Sequence, residues 1–91
     1  TMRIEALCSA HQLGFAAHIW GGATTFAAGL HCSAAASSAF IIEYSVGANP
    51  MLHDLAKESF SAVDGFVEIP DRPGLGVTID EDFVSEYRVA L

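Results

Sequence analysis

A chain of 91 residues with eleven acidic and four basic side chains carries a formal charge of −7 and a pI near 4.7; most of its surface repels a phosphate backbone, which argues against nucleic-acid binding. Apolar runs such as Ala34 to Ile42 are too short to cross a bilayer, and no basic, apolar, small-residue leader opens the chain, so a soluble, cytoplasmic setting away from membranes is expected. One domain is the upper bound at this length, and such a unit buries only roughly 60 to 65% of the surface its unfolded chain exposes.

Against that bound, 52% of the residues are hydrophobic and the mean hydropathy is +0.38, too apolar for an independent small domain with ordinary loops. Either apolar surface faces a second copy in a homo-oligomer, or the chain was cut from a larger domain whose other elements cover it. The order of the elements favours the second.

Ile4, Leu7, Cys8 and His11 recur at the spacing of one helical face, which predicts a helix over Met2–Leu13, with Gly14 as its stop. Phe15 to Ile19 reads as a short strand buried on both faces, and His18 falls at its end. Trp20, Gly21 and Gly22 break the run, and Thr24 or Thr25 is expected to cap a helix over Thr25–Ala36. That helix is so rich in Ala, Gly and Ser that it can lie very close to a sheet. Ser37 and Ser38 end it, and Ala39 to Tyr44 reads as a second buried strand with Glu43 in its last turn. Strand, helix and strand with short joins form a βαβ unit, which requires parallel pairing and more strands beside it.

Val46 to Pro50 is a loop, and Met51 to Lys57 a short helix or turn. Asp64 and Gly65 open a strand over Phe66–Ile69; Pro70 to Gly74 turns the chain into a second strand over Gly76–Ile79. Asp80, followed by Glu81 and Asp82, predicts the capped start of a last helix reaching about Arg88, and reads as a cap rather than a cation site.

Two strand-end side chains carry chemistry. The imidazole of His18 titrates near neutral pH when unperturbed, with a reference pKa of about 6.5, so it can take and return a proton; the residues alone balance this evenly against a core histidine bonded to a backbone carbonyl. Glu43 between Ile42 and Tyr44 would cost several kcal/mol if left ionised and unpaired inside a strand, which favours a functional place at a wet mouth. Gly21 and Gly22 could offer backbone N–H groups to a carboxylate or could be a plain turn, and Trp20 could wall a pocket or simply pack. Cys8 and Cys32 lack disulfide or zinc spacing and read as buried free thiols. His31 reads as structural, and His11 and His53 as surface or loop residues.

The stretch Ala17-His18-Ile19-Trp20-Gly21-Gly22, the Ala-rich helix, Phe40-Ile41-Ile42-Glu43, and Asp64-Gly65 through Ile69-Pro70-Asp71-Arg72-Pro73-Gly74-Leu75-Gly76-Val77 closely resemble the C-terminal quarter of the mandelate racemase and muconate lactonizing enzyme family of the enolase superfamily. The likeness is strongest to its acid-sugar dehydratase and sugar-lactone cycloisomerase branches. Ala17 stands where many acid-sugar dehydratases have proline, so the branch stays open.

The resemblance implies an α/β fold that is the C-terminal portion of a (β/α)7β barrel, similar to a TIM barrel, followed by short antiparallel strands and a terminal helix. Residues 1–45 would form a barrel βαβ unit with its preceding helix, and residues 46–91 an extension toward the capping domain. It also implies a Mg²⁺-dependent enzyme that removes the proton alpha to the carboxylate of an acid sugar or sugar lactone, with the ion holding the enediolate. In that reading His18 is the general acid/base, Glu43 meets the substrate carboxylate or the enediolate, and Trp20, Gly21 and Gly22 line the substrate site. The three acidic metal ligands, the lysine of the second strand and the aspartate that pairs with the histidine would lie outside the chain, on the rest of the barrel. The alternatives are racemisation or epimerisation of a 2-hydroxy acid, or a non-catalytic oligomerising fragment.

Overall fold

A computed structural model describes residues 1–89. The first helix, α1 (Met2–Ala10), ends earlier than the apolar spacing predicts, and Gly14 does not stop it. Gln12 takes up the left-handed backbone at φ 56°, while its N–H and that of Leu13 return to the carbonyls of Ser9 and Cys8. This is the paired closure that a glycine usually provides, here built on glutamine.

Strand β1 (Phe15–Ala17) runs parallel to β2 (Ala39–Ile42), with Phe15 opposite Ala39 and Ala17 opposite Ile42 and a shift of register after Phe15. Both strands are shorter than predicted, so His18 and Glu43 stand just beyond them rather than inside. The connection is α2 (Ala23–Ala35), which completes the expected βαβ unit. This helix starts before either threonine can cap it. Gly22 occupies the capping position, and its carbonyl accepts the Phe26 N–H at 3.0 Å.

After the sheet, α3 (Pro50–His53) starts on Asn49, whose side chain accepts the Leu52 N–H, with proline in the first turn. A hairpin follows: β3 (Ala62–Val63) and β4 (Phe66–Val67) pair antiparallel across Asp64 and Gly65, at φ 51° and 81°. Positive φ at both central residues is what a type I′ turn requires, and Asp-Gly supplies it most cheaply. Asp64 and Gly65 therefore join two strands instead of opening one. The strand predicted over Gly76–Ile79 contracts to a single bridge between Ile79 and Ala56. The last helix, α4 (Glu81–Glu86), is capped as expected by Asp80, which accepts from the N–H groups of Asp82 and Phe83.

The core lies on one side of the sheet. Ala23, Phe26, Ala27 and Leu30 of α2 close over Leu52, Ala56 and Phe60, with Ile19, Ile42, Tyr44 and Val67 packed around them. Phe26, 1% exposed, meets the rings of Tyr44 and Phe60 edge-on at 5.5 and 5.0 Å. The predicted burial of both sheet faces is not met within the chain: Phe40 is 73% exposed and Ile41 59%. Ile4 and Leu7, on the predicted inner face of α1, are exposed too, and Cys8 and Cys32 are half-buried free thiols. These apolar groups remain partly or largely open to solvent. Among the described residues no helix is long and apolar enough to cross a membrane.

Candidate active site

Because Ala17 and Ile42 are partners in the parallel ladder, the next residue of each strand leaves the sheet at the same rim. Those residues are His18 and Glu43. The imidazole Nδ1 lies 2.5 Å from Glu43 Oε2, with the side chains 76% and 53% exposed. A contact this short between an N–H and a carboxylate oxygen belongs to the stronger, charge-assisted kind. The two side chains line an open pocket of about 270 Å³ with Ala16, Ala17, Ile41 and Ile42. The cost expected for a carboxylate held inside a buried strand does not arise, since Glu43 lies past the strand, half open to water and paired.

Trp20, Gly21 and Gly22 follow His18 on the way to α2 but do not line that pocket. Trp20 is 68% exposed. A groove of about 430 Å³ opens on the other side of His18, bounded by Thr24, Thr25, Ala28 and Cys32. The two glycines are held from behind. Asn49 Nδ2 donates to the Gly21 carbonyl at 3.4 Å, and a Cβ built on Gly22 would stand 2.9 Å from the Met51 carbonyl oxygen. The capping asparagine of α3 thus also fixes the turn behind His18, a double role that its place before Pro50 signals only in part.

Sequence reasoning also missed Tyr44, whose hydroxyl donates to the Phe60 carbonyl at 2.8 Å and ties the chain after Glu43 to the core. His31 is structural, with Nε2 3.3 Å from the Leu75 carbonyl oxygen; His11 is exposed and His53 half-buried. Among the described residues no group of three or more His, Cys, Asp or Glu side chains converges in a way that could hold a metal ion. The magnesium ion implied by the resemblance has no ligand set there.

A parallel βαβ unit that sets an imidazole against a carboxylate just past its paired strands has the layout of an α/β barrel enzyme, where function gathers at the carboxyl ends of the strands. Residues 1–83 match the family described as enolase C-terminal domain-like, and the chain belongs to that family. It is 33% identical over 95 residues to D-galactarolactone cycloisomerase of Agrobacterium fabrum, a match covering 96% of this chain and 25% of that protein. It is 35% identical over 89 residues to D-galactonate dehydratase of Xanthomonas oryzae pv. oryzae, covering 91% and 23%. Its fold superposes with a TM-score of 0.89 on the crystal structure of a protein assigned as a mandelate racemase from Bordetella bronchiseptica RB50, complexed with 2-oxoglutarate/phosphate. That match has 30% identity and covers 98% of this chain and 24% of the other. The chain spans about a quarter of the length of these relatives.

Proposed function

We propose that this chain contributes His18 and Glu43 to the active site of an enolase-superfamily enzyme that removes the proton alpha to the carboxylate of an acid sugar or sugar lactone. The observation that carries the reading is the meeting of the two side chains at one rim, over one pocket, immediately past paired parallel strands. Support for the substrate class comes from the relatives, named for D-galactonate and D-galactarolactone. The rest of the barrel and the capping domain would cover the exposed Phe40 and Ile41 and close the pocket. Residues 1–45 would belong to the barrel and the remainder to an extension toward the cap.

The imidazole of His18 exchanges a proton with the carbon next to the carboxylate. Its exposure leaves the ring reachable from solvent and from substrate alike, and an imidazole can both accept and return a proton near neutral pH. Dehydration, ring opening and racemisation share the loss of that proton and differ in the next step: departure of hydroxide, departure of the ring oxygen, or return of a proton. Superfamily members generally use Mg²⁺, and in this enzyme its ligands would come from residues outside this chain. The chain's own share of the proton transfer is then the imidazole and the carboxyl group, with Trp20, Gly21 and Gly22 beside them on the way to α2.

In the intact protein, His18→Asn should slow exchange of the alpha proton of D-galactonate or D-galactarolactone with deuterated solvent by roughly 10²- to 10⁴-fold, the usual share of a positioned acid/base group. Exchange at the wild-type rate in that variant would overturn the reading.

A further inference from the structure

We infer that Asn49 is a positioning residue: its amide ties the segment leaving β2 to the turn leaving β1, and so holds Trp20, Gly21 and Gly22 in place where an acid sugar extends past its reacting carbon. This deepens the proposed function and rests on it.

The two strand exits are joined twice. At the rim the side chains of His18 and Glu43 meet. Further along both exits, Asn49 Nδ2 reaches back to the Gly21 carbonyl at 3.4 Å. The amide cannot turn round. Its Oδ1 accepts the Leu52 N–H at 3.3 Å, a role only the oxygen can fill, and the Gly21 carbonyl can only accept, so the nitrogen must face it. Among the described residues no other side chain bonds to Gly21 or Gly22, and α2 begins without a side-chain cap. The tie has a firm base. Pro50 fixes the backbone after Asn49, Leu52 is 3% exposed in the core, and Leu55 packs against that core. The fit is close as well, since a Cβ built on Gly22 would stand 2.9 Å from the Met51 carbonyl oxygen and 3.4 Å from Leu55 Cδ2. Because Trp20, Gly21 and Gly22 stand outside the His18–Glu43 pocket, what they would meet is the sugar chain and not the carbon that loses its proton. A contact of that kind holds ground state and transition state alike, so its loss raises KM and leaves kcat.

Asn49→Asp separates this role from helix capping. Aspartate caps as well as asparagine and still accepts from Leu52, but an ionised carboxylate has no N–H for the Gly21 carbonyl. In the intact protein, Asn49→Asp should speed hydrogen exchange at the amides of Gly21, Gly22 and Ala23 by roughly 2- to 10-fold, the worth of one hydrogen bond, while α3 keeps its wild-type protection. KM for D-galactonate or D-galactarolactone, whichever supports alpha-proton exchange, should rise by a similar factor, with kcat changed less than about twofold. Asn49→Ser, which caps but is too short to reach Gly21, should repeat both changes and so exclude the added charge as their cause. Wild-type exchange in the turn of Asn49→Asp, or a looser turn with an unchanged KM, overturns the inference. So does acceleration throughout α2 and α3, which marks a general loss of structure. A wild-type protein that exchanges no alpha proton of either compound overturns the proposed function instead, and the hydrogen-exchange comparison still decides whether Asn49 holds the turn.

Discussion

Glu5 and Ser38, 33 residues apart, lock the first helix to the head of the second strand. Glu5 Oε1 accepts the Ser38 backbone N–H at 3.2 Å, the Ser38 hydroxyl at 3.1 Å and the Ser37 hydroxyl at 3.1 Å. Glu5 is only 7% exposed in a helix whose apolar side chains face outward, so this polar cluster does what the apolar face does not. Ser38 in turn offers its carbonyl to the Phe15 N–H at 2.8 Å, so the same residue starts the parallel ladder that ends at His18 and Glu43.

Glu5→Gln is expected to loosen α1 selectively, because an amide oxygen is a weaker acceptor than a carboxylate for the three hydrogen bonds from Ser37 and Ser38. Hydrogen exchange should accelerate at the amides of α1 while those of α2 keep their protection. Equal acceleration in both helices would mean that Glu5 supports the fold globally and not this junction.

Gly22→Ala should destabilise the protein by about 1 to 3 kcal/mol, since the added carbon would press on a backbone carbonyl and not on a side chain that can turn away. The obstacle is the Met51 carbonyl oxygen at 2.9 Å. Gly21→Ala is the control: its Cβ would meet the Thr25 side chain at 3.1 Å, which can yield by a few tenths of an ångström. Denaturant unfolding of both variants checks the ordering, and an equal loss for the two would show that the turn, not α3, sets the constraint.

Phe26→Ala removes the largest fully buried side chain of the described residues. A loss of about 3 to 5 kcal/mol is expected, made of lost burial and the cavity left behind. Two edge-on aromatic partners, Tyr44 and Phe60, cannot both follow into the space, because Tyr44 is also tied by its hydroxyl to the Phe60 carbonyl. A loss under 1 kcal/mol would imply that the ring pair collapses onto α2 despite that bond.

The βαβ unit is legible in the residues because its signals are local: an apolar run, a glycine break, a small-residue helix and a second apolar run. Asp80 is legible for the same reason, since a cap acts within its own first turn. What stays hidden is set by distance along the chain. Glu5 looks like one more solvated helical glutamate until Ser37 and Ser38 are brought to it. The partnership of Asp64 and Gly65 with Ala62 and Val63 is missed because a strand of two exposed residues leaves no periodicity to find. His18 and Glu43 stand out singly as chemical side chains at strand ends, but their contact depends on register, which a one-residue slip would abolish.

Glu58 is the counterpart of Glu5 in the second half of the chain. It accepts the Thr78 backbone N–H and the Arg72 guanidinium, each at 2.6 Å, and the Thr78 hydroxyl at 3.0 Å. Beside it the Lys57 N–H donates to the Thr78 carbonyl and the Asp80 N–H to the Leu55 carbonyl, so the carboxylate seals a short antiparallel seam. The Thr78 N–H, with its hydroxyl and Arg72, holds the Glu58 carboxyl below the ordinary glutamate value of 4.5 against the opposing effect of burial. The Ser38 N–H and the two serine hydroxyls lower Glu5 in the same way. A carboxyl whose folded pKa is depressed takes up its proton more readily when unfolded, so each contributes stability that is complete above the unfolded value and is lost as pH falls through the folded one. Glu58→Gln should therefore lower the unfolding midpoint at pH 7, and the gap from wild type should begin to close as pH falls past about 4.5, where the unfolded wild type takes up its proton, and finish closing below the lower folded value, where both states are protonated. Added salt should narrow the gap only partly at pH 7, because it screens the exposed Arg72 pair but leaves the two Thr78 hydrogen bonds. A gap between Glu58→Gln and wild type that is the same at pH 7 and pH 3 would show that shape, and not the ionised carboxylate, holds the seam.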